Sequence, residues 1–166
     1  VNLVDLEGQT ALFLAASRGH VEVVRILTKA KGVEVDKSRN DGTSPLSAAV
    51  QHLFSEVAEI LVSAGADLDS LGLVFSAAEK GYPDEMKVLL QLGADPNRRR
   101  EIDGLSPIFL AVQNAHVSVV EVLLEEGLGA ANDEEVNGVT PLMVAALNGH
   151  FEVTKLLLVQ AGVDIH

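Results

Sequence analysis

One apolar phrase returns along the chain at a nearly constant spacing, and this feature constrains the fold more than any other. GHVEVVRIL at Gly19–Leu27 is repeated as GHFEVTKLL at Gly149–Leu157. Related stretches lie between them: RILT, EILV, KVLL, EVLL and KLLL begin at positions 25, 59, 87, 121 and 155, with separations of 34, 28, 34 and 34 residues. A period of about 33 residues indicates a tandem array of small structural units.

Each unit carries the same signals for two short helices. A glycine turn such as Asp41-Gly42 precedes the start of a first helix, where Thr10, Ser44, Ser106 and Thr140 can cap and a following proline, as at Pro45, loses no amide bond. An alanine-rich helix follows, then a second turn, often Gly-His, and a second helix that ends near a glycine. Because no helix pair this small can bury its own apolar face, we predict that neighbouring units share one core. The alanines would let the first helices approach closely.

Composition narrows the classes of function. The net charge is −12, which disfavours a nucleic-acid partner or an anionic membrane surface. There is no cysteine, and no apolar run reaches the ~20 residues of a membrane helix. We therefore expect an intracellular, cytoplasmic protein. No metalloprotease motif, phosphate-binding loop or catalytic triad order is found, so we expect no enzyme activity, no cofactor and no metal. His20, His116 and His150 share one turn position a repeat apart, which argues against a metal site.

The motifs resemble those of the ankyrin repeat family over essentially all 166 residues. The family's Thr-Pro-Leu-His-x-Ala-Ala phrase is similar to TALFLAA, SPLSAAV, SPIFLAV and TPLMVAA, and GADLD and GADPN match its Gly-Ala-Asp-x-Asn ending. The resemblance implies an all-α repeat solenoid, a stack of helix-turn-helix units with short β-hairpin fingers. It predicts one array over 1–166, with repeats of approximately 5–36, 37–69, 70–97, 98–132 and 133–166. We expect a piece of a longer protein, because neither terminal repeat has a polar cap.

Two departures from the family pattern carry expectations. The stretch DLDSLGLVF has lost about five residues and its Asp-Gly turn, so the finger between repeats two and three should be shortened or absent. The family's histidine in the first helix is replaced throughout, by Phe13, Ser47, Phe75, Phe109 and Met143, which puts the usual hydrogen bonds between fingers in doubt. The Phe and Met side chains of this set are more consistent with filling gaps between repeats than with anchoring a partner.

The family resemblance implies that a protein partner binds the concave face, which finger tips and first helices form. We expect the exposed apolar tip residues to contribute most, although packing against an adjacent finger is an equal alternative. Arg99 belongs to the one basic run, Arg98–Arg100, which could bind a carboxylate or phosphate but is better read as a solvated loop balanced by Glu101 and Asp103. The candidate protein-binding residues are Leu6, Gln9, Arg18, Asn40, Thr43, Gln51, His52, Lys80, Arg99, Ile102, Leu105, Gln113, Asn114, Val136, Val139, Leu147 and Asn148.

The sequence therefore predicts a non-catalytic scaffold that binds another protein or peptide, with a basic partner favoured by the net charge. The alternative is a regulatory or targeting segment of a larger enzyme or channel. A small-molecule site beside the third repeat is a less favoured possibility.

Overall fold

The computed structural model describes residues 1–69, 72–125 and 138–160, and within these ranges nearly all regular structure is helical. The helices are short and come in pairs, one pair for each repeat. They are α1 (Ala11–Ala16), α2 (Val21–Leu27), α3 (Pro45–Gln51), α4 (Ser55–Ser63), α5 (Leu73–Lys80), α6 (Pro83–Gln91), α7 (Pro107–Gln113), α8 (Val117–Glu125), α9 (Pro141–Leu147) and α10 (Phe151–Gln160). The fold class is an all-α repeat solenoid, as predicted.

Hydroxyl side chains start four of the first helices, at the predicted positions. Each hydroxyl oxygen accepts a hydrogen bond from the backbone N–H three residues later, and so provides an acceptor for one of the unpaired amides of the first turn. The distances are 3.0 Å for Thr10 and Phe13, 3.1 Å for Ser44 and Ser47, 3.3 Å for Ser106 and Phe109, and 3.3 Å for Thr140 and Met143.

The chain divides into two compact bodies. The N-terminal body comprises Val1–Leu71 with Gln91–Gly93, and the C-terminal body comprises Gly72–Leu90 with Ala94–His166. In the N-terminal body, α1 packs against α2 and α3, and α4 packs against α2 and α3. Adjacent repeats of this body thus share one apolar core, in which Val24, Leu46, Val57 and Leu61 are almost fully buried.

The C-terminal body repeats this arrangement. Its first helices pack in series, α5 on α7 and α7 on α9, while α8 packs on α7 and α10, and α10 also on α9. Leucines at the register position of the second helices fill its layers: Leu89, Leu123 and Leu157 are fully buried, as is Leu61 in the N-terminal body. The predicted register is confirmed, with Leu27 of the first repeat partly buried.

Most of the large side chains at the family's histidine position are buried. Phe13, Phe75 and Phe109 are 4%, 7% and 8% exposed, so they fill space between helices as predicted, whereas Met143 is 57% exposed. The apolar spacing of the first repeat's second helix predicts Ile26 on one inward face with Val21, Val24 and Leu27, and for Ile26 this prediction is wrong. Its side chain is 71% exposed, because Val24 takes the inward position.

The first two fingers are joined by hydrogen bonds despite the missing histidine. The Asn40 backbone N–H donates to the Glu7 carbonyl at 3.0 Å, and its side-chain amide donates to the Leu6 carbonyl at 3.1 Å. Val4 and Thr10 form an isolated antiparallel bridge at the base of the first finger. The shortened finger predicted between repeats two and three stays a prediction, since Ser70 and Leu71 lie outside the described residues.

The Gly-His turn position links successive repeats in the C-terminal body. The His116 imidazole donates from Nε2 to the Glu79 carbonyl at 2.9 Å, and His150 donates in the same way to the Gln113 carbonyl at 3.2 Å. Between the two repeats of the N-terminal body the equivalent residue is Phe54, which packs over Gly19 of the preceding repeat. The turn histidines of the C-terminal body thus hold the end of one first helix against the next repeat.

Candidate functional site

The finger tips are shaped by aspartates that accept backbone hydrogen bonds. Asp41 Oδ1 accepts from the Thr43 N–H at 2.9 Å, and Asp103 Oδ1 accepts from the Leu105 N–H at 3.2 Å. The Thr43 hydrogen bond is the main reason that the pKa of Asp41 lies below its ordinary value. The pKa of Asp103 is also lowered, mainly by a hydrogen bond from Arg100. Both tips therefore stay ionised at neutral pH.

A groove of about 450 Å³ lies where the first two finger tips meet α1 and α3. We call it the finger groove. Five of the candidate residues predicted from the sequence line it: Gln9, Arg18, Thr43, Gln51 and His52. The rest of its lining is Phe13, Leu14, Ser17, Arg39, Asp41 and Ala48. The structure thus brings tip residues from two repeats together with the exposed ends of two first helices.

Arg39 is the central cation of the finger groove. Its guanidinium lies over the Phe13 ring, with Cζ 5.7 Å from the ring centroid, in the range of a cation–π contact. Its Nε is 3.1 Å from Asp41 Oδ1, but the angle is too poor for a hydrogen bond, and this buried Nε–H has no other partner in the part of the chain that the structure describes. The terminal nitrogens likewise meet no acceptor among the described residues. Arg39 therefore has donors to spare.

The candidate set does not include Arg39, and for Phe13 a filling role is favoured over anchoring a partner. The available signal was position: Arg39 immediately precedes the tip, and its N–H bonds the Thr43 carbonyl across the turn at 3.0 Å. That hydrogen bond fixes the backbone beside the groove. The contact with Phe13 joins residues far apart in the sequence, so the sequence pattern contained no direct sign of it.

The finger tip of the C-terminal body uses its arginine differently. Arg100 Nε bonds both oxygens of Asp103, at 3.0 and 3.1 Å, its Nη2 forms a further close ion pair with Asp103, and its Nη1 lies 3.6 Å from Glu79. These contacts raise the pKa of Arg100, so it stays charged. Arg99 is exposed and donates to the Gly104 carbonyl at 3.3 Å. Arg100 is therefore balanced by Asp103 as the loop interpretation expects, with Glu79 as its second carboxylate in place of Glu101.

The other described candidate residues are not among those that line the finger groove. Leu6 is fully exposed, and Ile102 and Leu147 are 84% and 85% exposed, so these apolar side chains face solvent rather than an adjacent finger. Val139 is marginally exposed and Leu105 is half-buried. Val136 lies outside the described residues. The remaining exposed candidates are Asn40 at a tip and Lys80, Gln113, Asn114 and Asn148 at the ends of first helices.

The described residues contain no cluster of three or more His, Asp or Glu side chains that could hold a metal ion. None of the helices in those ranges is both long and apolar enough to cross a membrane.

Capped helix pairs, shared cores and projecting tips define a helical repeat protein built for binding through its surface. The family profile described as "Ankyrin repeats (3 copies)" matches residues 1–71 and 74–166. The chain belongs to the ankyrin repeat family. Repeats of this family are protein-interaction modules and are in general not catalytic.

Several curated proteins resemble parts of the chain. E3 ubiquitin-protein ligase KEG of Arabidopsis thaliana is 32% identical over 100 residues, which is 56% of this chain and 6% of the ligase. Human ankyrin repeat and SOCS box protein 3 is 34% identical over 92 residues, 51% of this chain and 18% of that protein. Mouse protein phosphatase 1 regulatory subunit 12A is 34% identical over 87 residues, 48% of this chain and 8% of the subunit. The matched part of this chain thus spans less than a fifth of each of these relatives.

Proposed function

We propose that this chain is a non-catalytic scaffold that binds a segment of a partner protein through its finger tips and first helices. The observation that carries the proposal is the finger groove, in which five independently predicted residues line one concavity. The exposed apolar tips Leu6 and Ile102 add contact area, since large apolar side chains in water gain most when a partner covers them. The net charge of −12 would speed the approach of a partner that is basic overall. We assign this role to the cytoplasm, which localisation of the tagged full-length protein tests.

Selection of displayed peptides by the immobilised chain tests the proposal. Leu6→Asp and Ile102→Asp should each reduce retention of the selected peptides, because they place a charge at an exposed apolar tip. Ile26→Asp is the matched control, since Ile26 is 71% exposed on α2, away from the finger tips. Retention lost with Ile26→Asp but kept by both tip variants would contradict the proposal and assign binding to the second helices.

A second candidate function is a regulatory or targeting segment of a larger enzyme or channel. The observation that favours it is that the relatives include a ligase and a phosphatase regulatory subunit, both far longer than the matched region. In that case the partner surface would belong to the same polypeptide. A full-length protein whose neighbouring catalytic or membrane domain crosslinks to the finger tips would support this alternative, and crosslinking only to a separate protein would contradict it.

A further inference from the structure

The finger groove differs in charge from the chain as a whole. Its lining contains two guanidinium groups, Arg18 and Arg39, against one carboxylate, Asp41, although the chain carries twice as many acidic as basic residues. A basic segment attracted by the overall charge would therefore meet local repulsion here. The kind of group that the groove binds must therefore be inferred from the side chains that line it.

The donors of the groove are incompletely used. Arg39 makes one ion contact, through Nε, and Arg18 is exposed and has no ion-pair partner among the described residues. Arg100 shows what a satisfied finger arginine looks like in this fold, since Asp103 takes its Nε and Nη2 and Glu79 lies near its Nη1. Among the residues that the structure describes, no second carboxylate pairs with Arg39 in this way.

A second groove provides the comparison. It has nearly the same size, about 460 Å³, and lies along α2 and α4, where Arg25 and Lys29 are accompanied by Glu56 and Glu59. Arg25 there is already paired, 3.3 Å from Glu56 and 3.6 Å from Glu22. Equal volume with balanced charge gives no preference for an anion, so the charge imbalance distinguishes the finger groove from this second groove.

The apolar part of the lining indicates what carries the anion. Phe13 lies beneath the Arg39 guanidinium, and Leu14 and Ala48 also line the groove. Leu14 is the half-buried member of this set, so a methylene stem can pack on it while the carboxylate receives two parallel hydrogen bonds from a guanidinium. Glutamate and aspartate side chains combine these two parts.

We propose that the finger groove binds an acidic side chain, foremost glutamate, of a partner peptide, with Arg39 and Arg18 as the carboxylate donors and Phe13 as the platform beneath Arg39. This inference rests on the proposed function, because it names the chemistry that the same surface recognises. The net charge of the chain favours a basic partner, whereas the groove prefers an acidic side chain.

Three pools of capped nonapeptides test this assignment on the full chain. The central residue is Glu, Gln or phosphoserine, the other positions are random without Asp or Glu, and both ends are blocked to remove other carboxylates. The Glu pool should be retained at least about tenfold more than the Gln pool, the usual scale for a charge-assisted hydrogen bond. Arg39→Gln and Arg18→Gln should each remove most of this preference, and Arg39→Lys should restore only part of it, because lysine lacks the paired donors.

Arg25→Gln is the matched control, since it removes one positive charge from the other groove. Equal loss of preference in Arg25→Gln would overturn the assignment in favour of long-range charge. Stronger retention of the phosphoserine pool with the same arginine dependence would also overturn it, in favour of a phosphopeptide. Thermal unfolding of each variant shows that it is folded, and exposed Arg18 offers a test even if Arg39→Gln is unstable.

The two proposals fail in different ways. Equal retention of the Glu and Gln pools, sensitive to Leu6→Asp, would end the carboxylate assignment and leave the binding function intact. Retention of none of the pools would contradict both.

Discussion

The N-terminal and C-terminal bodies use the same two positions of the repeat in opposite ways. At the finger tip, Arg39 keeps unused donors, whereas Arg100 is held by Asp103 and Glu79. At the turn that contacts the preceding repeat, the N-terminal body has Phe54, which packs by its ring, whereas the C-terminal body has His116, which donates a hydrogen bond. The backbone arrangement is shared, and the difference lies in which side chains it engages.

This difference shows that a repeat fixes backbone geometry without fixing the use of its polar groups. A guanidinium that neutralises a neighbouring carboxylate contributes to the fold and has little left to offer a ligand. An arginine with unmet donors contributes less to stability and is free to bind. In the described part of this chain, the finger arginine of the C-terminal body supports the fold, and that of the N-terminal body is available for recognition.

The largest effect should come from adding a methyl group at the turn glycine that faces His116. Gly81 has φ of +75°, and a Cβ there would lie 2.4 Å from His116 Nδ1. Gly81→Ala must therefore strain the backbone and also displace the imidazole from the Glu79 carbonyl. We expect a loss of about 2–4 kcal/mol in the free energy of unfolding, measured by urea denaturation.

Two equivalent glycines separate strain from steric overlap. Gly19 has φ of +71°, and a Cβ there would meet the Phe54 ring at 3.0 Å. Gly149 has φ of +68° with no described atom within 4 Å of a Cβ. Gly149→Ala should cost only the backbone strain, about 1 kcal/mol, and Gly19→Ala should fall between the two. Equal losses at all three positions would mean that the side chain in the neighbouring repeat has no influence.

The sequence was sufficient for the helices, their caps and the core register, because each rests on a local signal repeated every 33 residues or so. Thr10 and Ser44 cap as predicted, and Leu61 and Leu157 occupy equivalent buried positions. The left-handed turn residues were harder to predict where the position is not glycine. Leu53 and Ala115 adopt the left-handed conformation, with φ of +58° and +57°, without the residue that usually marks it.

The candidate site was predicted only in part for a related reason. Exposure of Arg18, Gln51 and His52 is what the family resemblance implies for the ends of the first helices, which is a local property of each repeat. The contact between Arg39 and Phe13 depends on how a loop in one repeat lies over a helix in another. Such a contact between repeats leaves no periodic mark, so the sequence predicted the surface but not the cation at its centre.

Truncating Phe54 and His116 compares ring packing with hydrogen bonding at the turn position, and the expected losses of stability are smaller than for Gly81→Ala. Phe54 is half-buried, so Phe54→Ala should cost about 2 kcal/mol, less than the roughly 3–5 kcal/mol of a fully buried phenylalanine. His116→Ala should cost about 1 kcal/mol, the net value of one hydrogen bond. Chemical denaturation of both variants measures the difference. A larger loss for His116→Ala would reverse the ranking of packing and hydrogen bonding at this position.

The smallest effect concerns the tip carboxylates at low pH. Both Asp41 and Asp103 have lowered pKa values, but the first-ranking cause is the Thr43 N–H for Asp41 and the Arg100 side chain for Asp103. Arg100→Gln should therefore raise the pKa of Asp103 towards its ordinary value of about 4. Arg39→Gln should leave the pKa of Asp41 largely unchanged. NMR titration of the two carboxyl carbons measures both shifts.

The sign of the stability effect follows from these directions. A carboxylate with a lowered folded-state pKa stabilises the fold above its ordinary pKa, and this contribution is lost as the pH falls through the lower, folded-state value. Stability of the unmodified chain should thus decline in acid below about pH 4, and Arg100→Gln should flatten that decline more than Arg39→Gln does. If Arg39→Gln flattened the decline equally, Arg39 would interact with its tip carboxylate just as strongly as Arg100 does. The donors assigned to a partner's glutamate would then already be engaged within the chain.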